Sequence, residues 1–459
     1  MEHVRPPDHR DCLEVRNRVR WITRAVAGIV VALGLALLLY ARFGTTPPPG
    51  PRALKTVAPG VYTDPPEGIV AVHGECTGRL ALTPAASHYL GATTFPYPVV
   101  YDCANKTFTV LKNLPSLIFV GDLTLTKEGY YQNLSRFTDK GETGSYFFYD
   151  HDGNEIREVT QPDDPKVHDL IVGDHDVLMI QYAHDWDTAR CGVPAELDIA
   201  IIQKDFDGRI LWKWSSKGHF TTDQRVSTDA SMHVPRESRW RKGFEWLRSC
   251  YTSLARRVVK FDVPKGRLFS NGVTLFALEE NDYVHVNSIQ ELEPGGDILV
   301  SARHLDTIFV IDRKTGNVKW ALGGKYSKVT SNRVSDDPRG GFSHQHYVRE
   351  VGNRLYVFDN GNLYPDMPSR AVVYQLDSQS PNRMVFQFLE PNGRQRYSLG
   401  SVQLLKNNQL LIGWGAVNEA DMGSPQRAVS IVDMASGKEV FSIDMAPSWL
   451  SYRVKAVQP

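Results

Sequence analysis

One repeated hairpin constrains this chain more than any other feature. An apolar strand runs into a turn of the form D-x-x-G or D-x-G and returns as a second apolar strand, often ending in Trp or Phe. FFYDHDGNEIREV (147–159), IAIIQKDFDGRILWKW (199–214), IFVIDRKTGNVKWALGG (308–324) and VSIVDMASGKEVFSI (429–443) show it, and RAVVYQLDSQSPNRMVFQF (370–388) is a looser copy. Between these lies a second hairpin type: HDLIVGDHDVLMI (168–180), HVNSIQELEPGGDILVSAR (285–303), HQHYVREVGNRLYVFDN (344–360) and GSVQLLKNNQLLIGWG (400–415). Short apolar runs bounded by turn residues read as strands, so two hairpins make a four-stranded unit. Four units follow residue 165, and residues 60–160 have room for one or two more. The pattern predicts an all-β, six-bladed β-propeller over residues 59–459. A β-sandwich of similar strand count is the alternative.

Residues 216–267 break this rhythm. Trp240, Phe244, Leu247 and Tyr251 are spaced as on one face of a helix, among basic residues. The spacing predicts a helical insertion over about 235–262, packed across one face of the propeller. A membrane-surface helix is the second reading. Trp212 and Trp320, near the ends of the outer hairpins, read as core packing.

The N-terminus carries a different signal. AVAGIVVALGLALLLYA (25–41) has no charge, and Trp21, Ile22 and Tyr40 extend or flank it. About 20 residues are needed to cross a bilayer, so a span must use those flanks. Arg16, Arg18, Arg20 and Arg24 precede it, which places the N-terminus in the cytoplasm. A cleaved signal peptide is the rival reading, but the run ends without a small-x-small site. The expected order is a cytoplasmic tail (1–20), a transmembrane signal-anchor (21–43), a Pro-rich linker (44–58) and an extracytoplasmic propeller. Cysteine usage agrees: Cys12 falls on the cytoplasmic side, and Cys76, Cys103, Cys191 and Cys250 form an even set on the oxidising side. Proximity suggests Cys76–Cys103 and Cys191–Cys250, among three possible pairings. No C-x-x-C occurs, which argues against a structural zinc site. The formal net charge is zero, so composition offers nothing to nucleic acid.

The polar residues of the second hairpin type need a separate reason. Aligned on their apolar strands, Ile289 matches Val348, His285 matches His344, and Asn287 matches His346. Closing one short turn places His168 with Asn287 and His346. Equivalent positions on innermost strands face the central channel of a propeller. His168, His285, Asn287, His344 and His346 are therefore expected at one mouth of that channel, with Arg303 nearby. Two chemistries suit such a set. One is metal binding by His344 and His346 with His285 or His168. The other is transfer of an anionic group, with a neutral imidazole as nucleophile and Arg303, Asn287 and the neighbouring imidazoles on the equatorial oxygens.

Y-x-H-V-N-S-I, G-D-I-L-V-S-A-R, I-D-R-K-T-G…W-A-L-G-G, F-S-H-Q-H, V-F-D-N-G and S-R-A-V-V-Y, in one order over roughly 165–445, resemble the arylsulfotransferase (ASST-like) family. The resemblance implies a six-bladed propeller outside the cytoplasm that moves a sulfuryl group from a phenolic sulfate ester to a phenol. It implies a sulfohistidine intermediate and no nucleotide donor, cofactor or metal. It gives His346 the place of the nucleophile, and His285 and Arg303 those of sulfate binding and acid/base work, with Asn287 among the sulfate-binding positions. His168 takes the place of a further active-site histidine. His344 stands beside the motif as an added candidate for substrate contact. The implied partners are an aryl sulfate donor and a phenolic acceptor. The N-terminal part does not match the β-domain through which characterised bacterial members dimerise, so no oligomeric state is implied. D-R-K-T-G-N-V-K-W is also similar to the repeat of quinoprotein dehydrogenases, but the strand count is too small and adjacent cysteines are absent. A non-catalytic propeller that binds an anionic or sulfated ligand, or a protein partner, is the alternative from another class.

Overall fold

The computed structural model describes residues 55–86, 98–111, 119–138, 141–161, 168–184, 197–226, 282–364, 366–377, 382–417, 424–447 and 449–457. Apart from a two-stranded sheet of Arg396–Ser398 with Ala416–Val417, the strands group into six antiparallel blades around an axis. Their innermost strands are Trp449–Val457, Phe119–Leu125, Leu170–Val172, Val286–Glu291, Tyr347–Val351 and Ser401–Leu404, which number blades 1 to 6.

The ring closes by exchange of both chain ends. Trp449–Val457 pairs with Arg79–Ala86 to complete blade 1 from the inside. Ile69–Gly74 pairs with Lys438–Met445 to complete blade 6 from the outside. Antiparallel ladders thus satisfy strand edges that an open ring would leave bare. The Cys76–Cys103 disulfide adds a covalent link between the segment leaving blade 6 and the turn after strand Val99–Asp102 of blade 1.

Six hydrophobic clusters fill the six spaces between neighbouring blades. Strand Ile298–Ala302 shows how one sequence serves two of them. Ile298 and Val300 pack toward blade 3, while Leu299 packs toward blade 5. Successive side chains on a strand point to opposite faces, and both faces here meet a neighbour. That is why the strand reads as a continuous apolar run rather than as an alternation. Trp212 and Trp320 pack against these clusters, as expected.

The repeated turn has a common mechanism. The Asp312 carboxylate accepts the backbone N–H groups of Lys314 and Thr315 at 3.0 and 2.8 Å, and Gly316 takes φ +74°. Asp150 does the same for Asp152 and Asn154 in blade 2. An Asp that caps the turn and a Gly that tolerates positive φ are what the repeat preserves.

Among the described residues, helical structure is limited to three short 3-10 turns, and no helix is long and apolar enough to cross a membrane. The signal-anchor at 21–43, the insertion at 235–262, Cys191 and Cys250 lie outside the described residues. Among the described residues the architecture is that of an all-β propeller.

Candidate active site

The segments entering the innermost strands build one polar cluster on the axis. His168 precedes the inner strand of blade 3, Asp282 and His285 that of blade 4, His344 to His346 that of blade 5, and Gly400 that of blade 6. Tyr452 and Arg453 come from the inner strand of blade 1.

His285 and His344, matched by the sequence alignment, share an uncommon backbone. Both have positive φ, +51° and +53°. Such values are rare for a residue with a side chain and need outside support. Each finds it in an aspartate. The His285 N–H donates to Asp282 Oδ1 at 2.8 Å, and the His344 N–H donates to Asp306 Oδ1 at 2.7 Å. Each ring then meets the same carboxylate: His285 Nδ1 lies 2.6 Å from Asp282 Oδ2, and His344 Nδ1 lies 3.2 Å from Asp306 Oδ1.

The rings form a chain. Centroid separations are 5.2 Å for His168–His285, 6.4 Å for His168–His346, 4.5 Å for His285–His304 and 6.1 Å for His304–His344. Tyr452 stands 5.4 Å from His346 and hydrogen-bonds His168 Nδ1 at 2.8 Å.

His346 has its tautomer set by a backbone carbonyl. Its Nδ1 lies 2.9 Å from the carbonyl oxygen of Gly400. A carbonyl only accepts, so Nδ1 carries the proton and Nε2 keeps its lone pair. Gly400 has φ +102°, and a Cβ there would lie 2.3 Å from Phe358. Only glycine brings that carbonyl to the ring. Burial, joined by the positive charges of Arg453 and Arg303 and by the neighbouring His285 ring, holds the His346 pKa well below the ordinary imidazole value. The hydrogen bond to Gly400 pulls the other way but does not prevail. His346 is therefore a neutral base at pH 7.

Asn287 is fully buried, and its amide nitrogen donates to the Gln345 carbonyl at 2.9 Å. It holds the peptide that leads into His346. Arg303 follows its strand in a 3-10 turn, 6 % exposed, with Nη2 on Asn362 Oδ1 at 3.2 Å and on the Tyr397 carbonyl at 3.3 Å. It is thus held between blades 4, 5 and 6, close enough for its charge to act on His304, His344 and His346. His344 is fully buried, held by Asp306 and, at 3.1 Å, by Ser343.

A buried ionic network joins the blades around this site. Arg453 Nη1 bonds Asp122 at 3.1 Å and Asp169 at 2.9 Å, and its Nη2 donates to the Asn287 carbonyl at 2.6 Å. Arg349 also bonds Asp169, at 2.9 Å. Burial alone would raise the Asp169 pKa, but Arg349, Arg453 and Lys455 outweigh it and hold the carboxyl well below the usual range.

Sequence reasoning missed His304, Asp282, Asp306, Gly400, Tyr452 and Arg453. Two of them left a signal: His304 follows Arg303 directly, and Asp282 stands three residues before His285. Asp282, His285 and His304 are the one group of His, Cys, Asp and Glu among the described residues compact enough to hold a metal ion. Both ring Nδ1 atoms are already engaged by Asp282, His304 through the backbone carbonyl at 2.5 Å. The three read as a hydrogen-bonded unit rather than as a ligand set.

A propeller whose axis carries a neutral, oriented imidazole beside a buried guanidinium suits transfer or binding of an oxyanion. The family model for arylsulfotransferase (ASST) matches residues 99–453, and the chain belongs to that family. No curated protein matches the sequence. Among solved structures, a protein of unknown function from Bacteroides caccae is 12 % identical with a TM-score of 0.45, covering 83 % of this chain and 100 % of that one. The periplasmic gluconolactonase of Pseudomonas aeruginosa is 14 % identical with a TM-score of 0.38, covering 79 % and 82 %. Likenesses of that size say nothing of activity.

Proposed function

We propose that this protein is an aryl sulfotransferase that works by double displacement through His346, without a nucleotide sulfate donor. The observation that carries the reading is the His346 Nδ1 contact with the Gly400 carbonyl, which leaves a neutral Nε2 as nucleophile. In the first half-reaction Nε2 attacks sulfur, the sulfur–oxygen bond to the aryl group breaks, and its electrons leave on the phenolate. His285 gives that oxygen a proton. In the second, an acceptor phenol returns a proton to His285 and attacks sulfur, and the nitrogen–sulfur bond electrons return to His346. Arg303 supplies fixed positive charge for the sulfuryl oxygens. Of the two candidates for the proton step, His285 is favoured over His168, because the Asp282 carboxylate stabilises the imidazolium that forms.

We also propose that the reaction takes place outside the cytoplasm, with residues 21–43 as the anchor. The Cys76–Cys103 disulfide supports an oxidising compartment.

The test is p-nitrophenol release from p-nitrophenyl sulfate by the full chain, with and without phenol, beside His346→Ala. Release that depends on phenol, a sulfuryl mass on the His346 peptide, and a loss of at least about 10³-fold in the variant are expected. Folded protein with no release and no adduct over a panel of aryl sulfates would favour a binding propeller.

A further inference from the structure

We propose that Asp282 is a positioning residue for the acceptor half-reaction: it holds the proton of His285 on Nδ1, so that Nε2 is the atom that takes the phenol proton. This rests on the sulfuryl-exchange reading above. Asp282 is fully buried and is held in place from both sides. Its backbone carbonyl meets His304 Nδ1, and the His304 N–H donates to the Val284 carbonyl at 3.2 Å. Its two carboxylate oxygens have separate tasks. Oδ1 accepts the His285 backbone N–H at 2.8 Å, and Oδ2 meets His285 Nδ1 at 2.6 Å. An ionised carboxylate has only acceptors to offer, so the ring must carry its proton on Nδ1. The positive φ of His285 would be costly without that first contact. One side chain thus fixes backbone, ring orientation and tautomer together.

The proton balance follows. With Nδ1–H on Asp282, neutral His285 has its lone pair on Nε2. The acceptor's O–H bond breaks, its proton goes to Nε2, and its oxygen attacks the sulfur held on His346. The imidazolium formed is stabilised by the Asp282 charge. It gives the proton up again to the next leaving phenolate.

Asp282→Asn separates these tasks. The amide must keep its oxygen on the His285 backbone N–H, so its NH₂ group faces Nδ1 and donates. Nδ1 then becomes the acceptor, and the ring proton moves to Nε2, where no lone pair remains to take a proton. With p-nitrophenyl sulfate, whose leaving phenolate is stable without protonation, the sulfuryl mass on His346 is still expected to form, and its formation is expected to be slowed far less than its discharge. Discharge of that adduct to phenol is expected to fall by about 10²–10⁴-fold, in kcat rather than KM, so the sulfuryl-protein accumulates. A variant that forms the adduct and discharges it at the wild-type rate overturns the proposal while leaving the sulfuryl-transfer reading intact. No adduct in the wild type overturns that reading itself. Should Asp282→Asn fail to fold, the ¹⁵N shifts of wild-type His285 in its neutral form, recorded above its titration, decide: protonation on Nδ1 supports the proposal, and protonation on Nε2 overturns it. Loss of activity on chelation, restored by zinc, would give Asp282 to a metal and overturn it as well.

Discussion

At the scale of single residues, the site depends on where protons and carbonyls sit. Gly400 is the clearest case. A methyl group there meets Phe358, and relief requires the Gly400 carbonyl to leave His346 Nδ1. Gly400→Ala is expected to cost about 1–3 kcal/mol from overpacking and positive φ, and to lower the rate of adduct formation more than substrate binding. Urea titration and single-turnover kinetics read the two effects separately. Arg303→Ala should cost about 10²–10³-fold in kcat, as loss of a preorganised charge does. Arg303→Lys should recover little of it, because an ammonium lacks the planar fork by which one guanidinium nitrogen holds Asn362 and Tyr397 while the other faces the oxyanion.

At the scale of elements, neighbouring blades are joined by apolar packing on the outside and by charge near the axis. Asp169 receives Arg453 from blade 1, Arg349 from blade 5 and the Ile289 N–H from blade 4. Removing its charge leaves two buried cations short of a partner. Asp169→Asn is expected to destabilise by about 3–5 kcal/mol in equilibrium unfolding. The Cys76–Cys103 bridge acts differently, through the unfolded chain. With a separation of 27 residues, loop closure predicts about 3.5 kcal/mol. Cys76→Ser with Cys103→Ser should lower the unfolding free energy by about 2–4 kcal/mol and leave the kinetics of folded protein unchanged.

At the scale of the whole molecule, the buried imidazoles set the response to acid. His304, His344 and His346 are each held below the ordinary imidazole value, burial being the largest cause. The unfolded chain therefore binds more protons than the folded one once pH falls below about 6.5. The stability they contribute is present above that value and is lost as pH falls through it. Asp169, lowered by its cations, adds a second loss below about 3.9. Asp359 and Glu350, raised by burial, work in the opposite sense as pH falls through their folded values, but they are two groups set against three imidazoles. The melting temperature is thus expected to fall between pH 7 and pH 5, as calorimetry would show. A midpoint that rose over that interval would mean that these rings are protonated in the fold.

The amino-acid sequence by itself determined the blade count, the repeated turn and the register of the inner strands, because these are local and periodic. Asp and Gly at fixed spacing make each turn, and apolar runs make each strand. The match of His285 with His344 proved to be a shared left-handed backbone, each supported by an aspartate. One of those aspartates precedes its histidine by three residues, while the other, Asp306, reaches His344 across 38. Gly400, Tyr452 and Arg453 were not legible at all. They join the site only because the ring closes, bringing strand Trp449–Val457 back against Arg79–Ala86 and the start of blade 6 beside blade 5. Tertiary structure alone decided which nitrogen of His346 carries its proton, because a carbonyl 54 residues away holds it.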